Sequence, residues 1–439
     1  MAVLFAAGGR RAFLSVLVPV LMFLPADFYL RIKHLPPLNF ADTAFLSLGI
    51  YLVVMELPRW RFSRLDLWVT LFIFTSCYSE RLNWGVNGAF LHLITTILEC
   101  LVPYMLGKLL VEQPGMRVEI VKRLVILLAV ASVLAMPQFF LKWNLYIHFW
   151  SHFFPGQFPE FPQIRRGFGR VGGPYGGAEQ TGMVLLIGLL LALWLKYCKN
   201  QWPKAVEYPT FFFEHSRIII FILAATLLMT QSRGPWIGAI VALAVASIGS
   251  AERPARRAII VFSVGLLVGV PLYYFGKDYV SGTSTDYGTE RQTAQYRAEL
   301  IENYVPLAKQ GGAWGWGTVT PVVRGQASID NEYLFIWLTQ GYVGLGSLML
   351  IAIEASLAFV RLGIMTRSSQ ERHFIYTLFG ILIGLGVCLG TVWMNLQTYI
   401  IFFLIVGWSQ SIRPTELAYR PPAGARTIRR PLQTVAIFT

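Results

Sequence analysis

Charge is scarce in this chain. Only 14% of its 439 residues are Asp, Glu, Lys or Arg, against about 25% in soluble globular chains. A water-facing fold needs that charged surface and a disordered chain needs more of it, so both are excluded. Cysteine is nearly absent as well. The four present (Cys77, Cys100, Cys198 and Cys388) fall inside or beside apolar runs. Their separations suit neither a disulfide framework nor a metal knuckle, which leaves small buried hydrophobes. The strict apolar–polar alternation of a membrane β-barrel is missing too, since residues 185–195 and 259–270 do not alternate. Among the charged residues acids are the minority: Asp+Glu 23 against Lys+Arg 37, a net +14. That excess alone fits a nucleic-acid binder. No soluble fold can hide so many unbroken apolar runs, however, and nucleic acid is thereby removed from the partners.

What is present is apolar and aromatic, at 55% and 14% of residues. A helix crossing a bilayer needs about 20 mostly apolar residues. Such runs fall at 12–30, 39–57, 65–79, 88–112, 119–141, 177–196, 215–230, 234–250, 257–275, 331–360, 375–394 and 396–412. They predict an all-α polytopic membrane protein with about 12 transmembrane helices. The third run is short enough to be tilted or re-entrant, and the tenth is expected to break at Gly341. The first follows Arg10 and Arg11 and reads as an uncleaved signal anchor.

With the N-terminus inside, the inner connections collect about two thirds of the Lys and Arg, the asymmetry that sets orientation. Both termini are then cytoplasmic. Residues 1–412 form a single integral membrane domain and 413–439 a basic cytoplasmic tail able to touch anionic membrane lipids. Two external loops are long, at about 142–176 and 276–330. The second contains an expected amphipathic helix over 290–307, with Leu300, Ile301, Tyr304 and Val305 on one face. Loops of this length in a compact domain are more often functional than mere linkers.

Four external segments carry groups able to do chemistry. TQSRGPWIG at 230–238 is a tight turn whose Ser232 and Arg233 stand beside a helix start, an anion site in principle. RVGGPYGGAEQTG at 170–182 offers Arg170, Glu179 and Gln180 beside glycines that permit close backbone approach, without the Gly-Lys-Ser/Thr of a phosphate-binding Walker loop. The external helix carries Arg291 and Arg297, about 120° apart on the helix wheel, followed by GGAWGWG at 311–317. IDNEYL at 329–334 sets Asp330, Asn331 and Glu332 at the start of a span, either as a cap or as a source of a general base. Glu99 and Glu354 lie within runs and are costly there. Together the arginines predict an anionic, lipid-linked substrate, because guanidinium matches phosphate bidentately and a pyrophosphate leaving group needs its charge neutralised.

These segments resemble the O-antigen ligase/polymerase superfamily of bacterial envelope proteins. The resemblance runs from about 170 to 410 and is carried by TQSRGPWIG, RVGGPYGGAEQTG, YRAELIENYVPLAKQGGAWGWG at 296–317 and IDNEYLFIWLTQGYVGLG at 329–346. It implies a multi-pass protein of the bacterial inner membrane: a glycosyltransferase of the periplasmic face that needs no metal or cofactor. Its donor would be a glycan on undecaprenyl pyrophosphate and its acceptor a glycan or a lipid. By that resemblance Arg170, Arg233 and Arg297 bind the pyrophosphate, with Arg291 a weaker match. Ligases of the superfamily typically carry histidine where this chain has Asp330, which favours a polymerase of O-antigen or exopolysaccharide over a ligase acting on lipid A–core. Asp330 or Glu332 is then expected to activate the acceptor hydroxyl, with Asn331 and Tyr333 positioning sugar.

A transporter of polysaccharide or lipid-linked substrate is the rival from another class. It predicts internal repeats and short loops on both faces, whereas no repeat is visible and the loops are lopsided. A metal-dependent transferase using polyprenyl-phosphate sugars would want an acidic pair in the first external loop, and RIKHLPPLN at 31–39 has none.

Overall fold

A computed structural model describes residues 2–30, 37–157, 163–198, 215–281, 289–326 and 328–413. It is helical almost throughout. The helices are α1 (Ala2–Ala12), α2 (Val18–Phe23), α3 (Phe40–Tyr51), α4 (Arg64–Thr96), α5 (Val102–Leu109), α6 (Met116–Ala135), α7 (Pro137–Leu141) and α8 (Leu145–Ser151). There follow α9 (Ala178–Tyr197), α10 (His215–Met229), α11 (Arg233–Ser250), α12 (Pro254–Ser281), α13 (Thr289–Gln310), α14 (Glu332–Met365), α15 (Ser369–Leu389) and α16 (Leu396–Ser411). Two small antiparallel hairpins interrupt them, β1 (Tyr29–Leu30) with β2 (Leu38–Asn39), and β3 (Ile164–Arg165) with β4 (Phe168–Gly169).

By length and composition, seven helices among the described residues can cross a membrane, and Ser216–Met229 is a shorter apolar one. Several of the expected runs differ in extent from the helices they form. Runs 65–79 and 88–112 are not separate pieces but one continuous path, Arg64–Leu109, bent at Gly85 (φ 78°) and passing through a π-helical turn at Ile97–Leu101. Run 12–30 ends as helix at Phe23, because Leu24 is extended. Run 375–394 ends as helix at Leu389, leaving 390–395 as a loop. The break expected at Gly341 is there (φ 70°, ψ −165°), a backbone shape that only glycine adopts without strain.

In lipid, helices pair through close packing rather than through the hydrophobic effect. The tightest pairs here accordingly meet at glycine. A methyl on Gly107 or Gly407 would overlap the backbone of the opposite helix in the α5–α16 pair, and Gly238 and Gly384 do the same for α11 and α15. The helix expected over 290–307 is α13. Its inward face is Leu300, Tyr304 and Ala308, packed on Leu334 and Leu338 of α14; Ile301, expected on that face, is exposed.

Candidate functional site

Helix ends decide where the polar groups go. The N-termini of α9, α11, α14 and α16 all open toward one cavity of about 560 Å³. Each helix start carries a partial positive charge on its unpaired N–H groups. In α14 and α16 the caps are filled: Asn331 accepts from Leu334 N (3.0 Å) and Asn395 from Thr398 N (3.0 Å). In α9 and α11 neither Gly177 nor Ser232 caps with its side chain, so those starts keep donors for an anion.

Arginines surround the same space. Arg165, Arg170, Arg233 and Arg297 all line the cavity, with Asp27, Glu179 and Asp330 as its carboxylates. Arg233 occupies the first turn of α11. Arg297 reaches over from α13, donating one Nη2 bond to Thr391 O (3.3 Å), while its Nε is buried without a partner. Arg165, on the β3–β4 hairpin, donates to Gln231 O (2.8 Å).

Arg170 is arranged differently. Its buried guanidinium pairs with Glu179 (2.5 Å) and bonds Gln163 Oε1 (2.9 Å), Thr230 O (3.2 Å) and Ser232 Oγ (3.3 Å). Those contacts fasten the 230–232 turn to the glycine-rich segment. The anion-binding part given to Arg170 in the sequence therefore meets a guanidinium already occupied by the protein.

The 329–334 segment also divides. Asp330 faces the cavity and accepts from Ser328 Oγ (2.6 Å). Its three successors are not among the residues that line the cavity. Asn331 is the α14 cap, and its Nδ2 donates to Gly390 O (3.0 Å). Glu332 is fully buried; it accepts from Met394 N (2.7 Å) and from the Tyr399 hydroxyl (2.6 Å). Tyr333 donates to Gly386 O (2.6 Å). Three consecutive side chains thus grip the segment 386–394, whose residues Thr391, Val392 and Trp393 form a cavity wall. Glu332, expected as a base, lies buried against Met394 and Tyr399 and does not line the cavity that Asp330 faces. Arg291 lies in α13, but its side chain falls outside the described residues.

The clamp makes a measurable prediction. Glu332→Ala leaves the Met394 amide and the Tyr399 hydroxyl buried and unpaired, at about 1–3 kcal/mol each. Glu332→Gln keeps acceptor capacity and recovers much of that loss. Thermal unfolding in detergent reads the difference; equal midpoints for the Ala variant and the parent would remove the clamp.

Three parts of the cavity were missed in the sequence: Asp27, Arg165 and the loop 391–395. Asp27 follows the end of α2 and stands 3.2 Å from where a side chain on Gly176 would begin. Gly176 has φ 76°, so glycine is required there for conformation as well as for room. Burial pushes the Asp27 carboxyl up from its ordinary 3.8 to about 6.

Residues 218–349 match the family model described as O-antigen ligase. Over this stretch, about three tenths of its length, the chain is similar to that family. No curated protein matches the chain. The matched stretch runs from α10 to the first half of α14 and supplies Ser232, Arg233, Arg297, Ser328 and Asp330 to the cavity. The remainder of the wall is built by segments outside it. Among the described residues no group of His, Cys, Asp and Glu is arranged to hold a metal ion.

Proposed function

We propose that this chain is a glycosyltransferase that works on undecaprenyl-pyrophosphate-linked glycans at the periplasmic face of the bacterial inner membrane, joining O-antigen or exopolysaccharide repeat units. The observation that carries the reading is one cavity in which Arg165, Arg233 and Arg297 and two helix starts without side-chain caps face Asp27 and Asp330. Donor pyrophosphate is held by Arg233 and Arg297. The acceptor hydroxyl oxygen attacks the anomeric carbon of the donor sugar and the carbon–oxygen bond to pyrophosphate breaks. The charge left on that oxygen is taken up by the guanidiniums, and the hydroxyl proton passes to a cavity carboxylate. Asp27, with its carboxyl raised toward neutral pH, is the better base, and Asp330 orients the acceptor.

The excess of Lys and Arg in alternate connections supports this orientation, with both termini in the cytoplasm and the cavity outside. A ligase that transfers finished glycan to lipid A–core is the second reading, favoured by the description of the matching family model; aspartate in place of histidine at position 330 favours the polymerase. Deleting the gene and analysing lipid-linked glycans tests both. Single repeat units accumulating on undecaprenyl pyrophosphate are expected. Accumulated full-length polymer on that lipid means a ligase, and unchanged lipid-linked glycans overturn both.

A further inference from the structure

A second polar cavity, of about 500 Å³, lies at the far end of α16. That helix begins at the wall of the candidate site, after Asn395, and ends at Ser411 in this second cavity. Its 16 residues separate the two by roughly 24 Å at about 1.5 Å per residue. The new cavity is walled by the α3–α4 connection, the end of α5 and the end of α16. Its charged lining is Arg59, Arg61, Lys108, Glu112 and Arg413.

Most of those charges are already matched by the protein. Lys108 Nζ meets both Asp66 oxygens (2.6 and 2.7 Å) and lies 4.2 Å from the centre of the Trp60 ring. Arg59 pairs with Glu56 (2.6 Å). Glu112 accepts from Arg117 and from the Trp408 indole (2.5 Å). Two guanidiniums remain. Among the described residues Arg61 and Arg413 make no hydrogen bond or ion pair, although both line a recess of ligand size. Beside them Phe62 is 76% exposed. An aromatic ring held out next to two guanidiniums suits a ligand that is anionic at one end and apolar at the other.

We propose that this recess binds a phosphate oxyanion, with Arg61 and Arg413 as its fork donors, and that the phosphate is the headgroup of an anionic glycerophospholipid whose chains lie against Phe62. The inference depends on the membrane-spanning fold and not on the transferase reading. If the candidate cavity proves inactive, this site stands or falls separately.

The test uses the full-length protein in detergent with three probes: phosphatidylglycerol, phosphatidylcholine and inorganic phosphate. Native mass spectrometry counts retained lipid, and thermal unfolding reads phosphate. Phosphatidylglycerol is expected to be retained in preference to phosphatidylcholine, and Arg61→Gln with Arg413→Gln to weaken that retention at least tenfold without lowering the unfolding midpoint in lipid-free detergent. The control is Arg256→Gln with Arg257→Gln, which removes the same charge from the exposed first turn of α12 and is expected to leave retention unchanged. An equal loss in the control means bulk charge and overturns the site. Stabilisation by inorganic phosphate that the Arg61/Arg413 pair abolishes, with no lipid preference, keeps the oxyanion site and overturns the lipid source. Binding of neither probe overturns the whole proposal.

Discussion

Arg297→Ala is expected to lower glycan transfer by about 10²–10³-fold, the usual cost of removing one preorganised donor from a developing oxyanion. The side chain is well placed for that effect. One Nη2 bond to Thr391 O ties it to the cavity wall, and its buried Nε has no partner, so the protein itself leaves much of the guanidinium unmatched. Arg297→Lys keeps the charge but loses the planar fork, so it should restore only part of the rate. Arg233→Ala is expected to behave alike, because it removes charge beside the uncapped start of α11. Arg170→Ala should fail in another way. Its guanidinium joins Glu179, Gln163, Thr230 and Ser232, so its loss unfastens a turn and lowers stability as well as rate. Transfer by purified protein from a lipid-linked repeat unit, measured beside unfolding midpoints, separates the two kinds of loss. A full rate in both Arg233→Ala and Arg297→Ala would falsify pyrophosphate binding in this cavity.

How much of this was legible depended on what each residue's neighbours hid. Arg233 and Asp330 were readable because they stand in polar segments at the ends of apolar runs, and Arg297 because it lies on the amphipathic helix expected in the long external loop. The bend at Gly341 was readable for a similar reason, since a glycine between two long apolar stretches invites a break. Asp27 was not, because the run around it is apolar enough to read as one span, while the helix in fact stops at Phe23. The loop 390–395 was hidden in the same way, absorbed by two runs that nearly touch. Glu332 and Asp330 look equivalent in sequence. Only the fold shows that the start of α14 turns one into packing against Met394 and Tyr399, while the other, before the helix cap, stays at the cavity. Nor can sequence tell that Arg170 is spent on the protein and Arg297 is not, since that depends on which loops meet.

The proton acceptor can be identified from pH dependence. With the Asp27 carboxyl raised to about 6, a base at that position is protonated and idle below that pH. The logarithm of the rate should therefore climb with unit slope up to about pH 6 and level off above it. Asp27→Asn should remove that limb and cost about 10²–10⁴-fold at neutral pH. Asp330→Asn should lower the rate less and keep the limb where it is, because the titrating group is untouched. The same shift has a consequence for folding with a definite sign. The folded carboxyl keeps its proton between its ordinary 3.8 and about 6, where the unfolded chain has lost it, so stability falls as pH rises through that window. Asp27→Asn should flatten this dependence, since an amide does not titrate. If Asp27→Asn keeps both its rate and its acid limb while Asp330→Asn loses them, the base is Asp330. The depth of Asp27 beside Gly176 would then serve to shape the cavity floor rather than to move the proton.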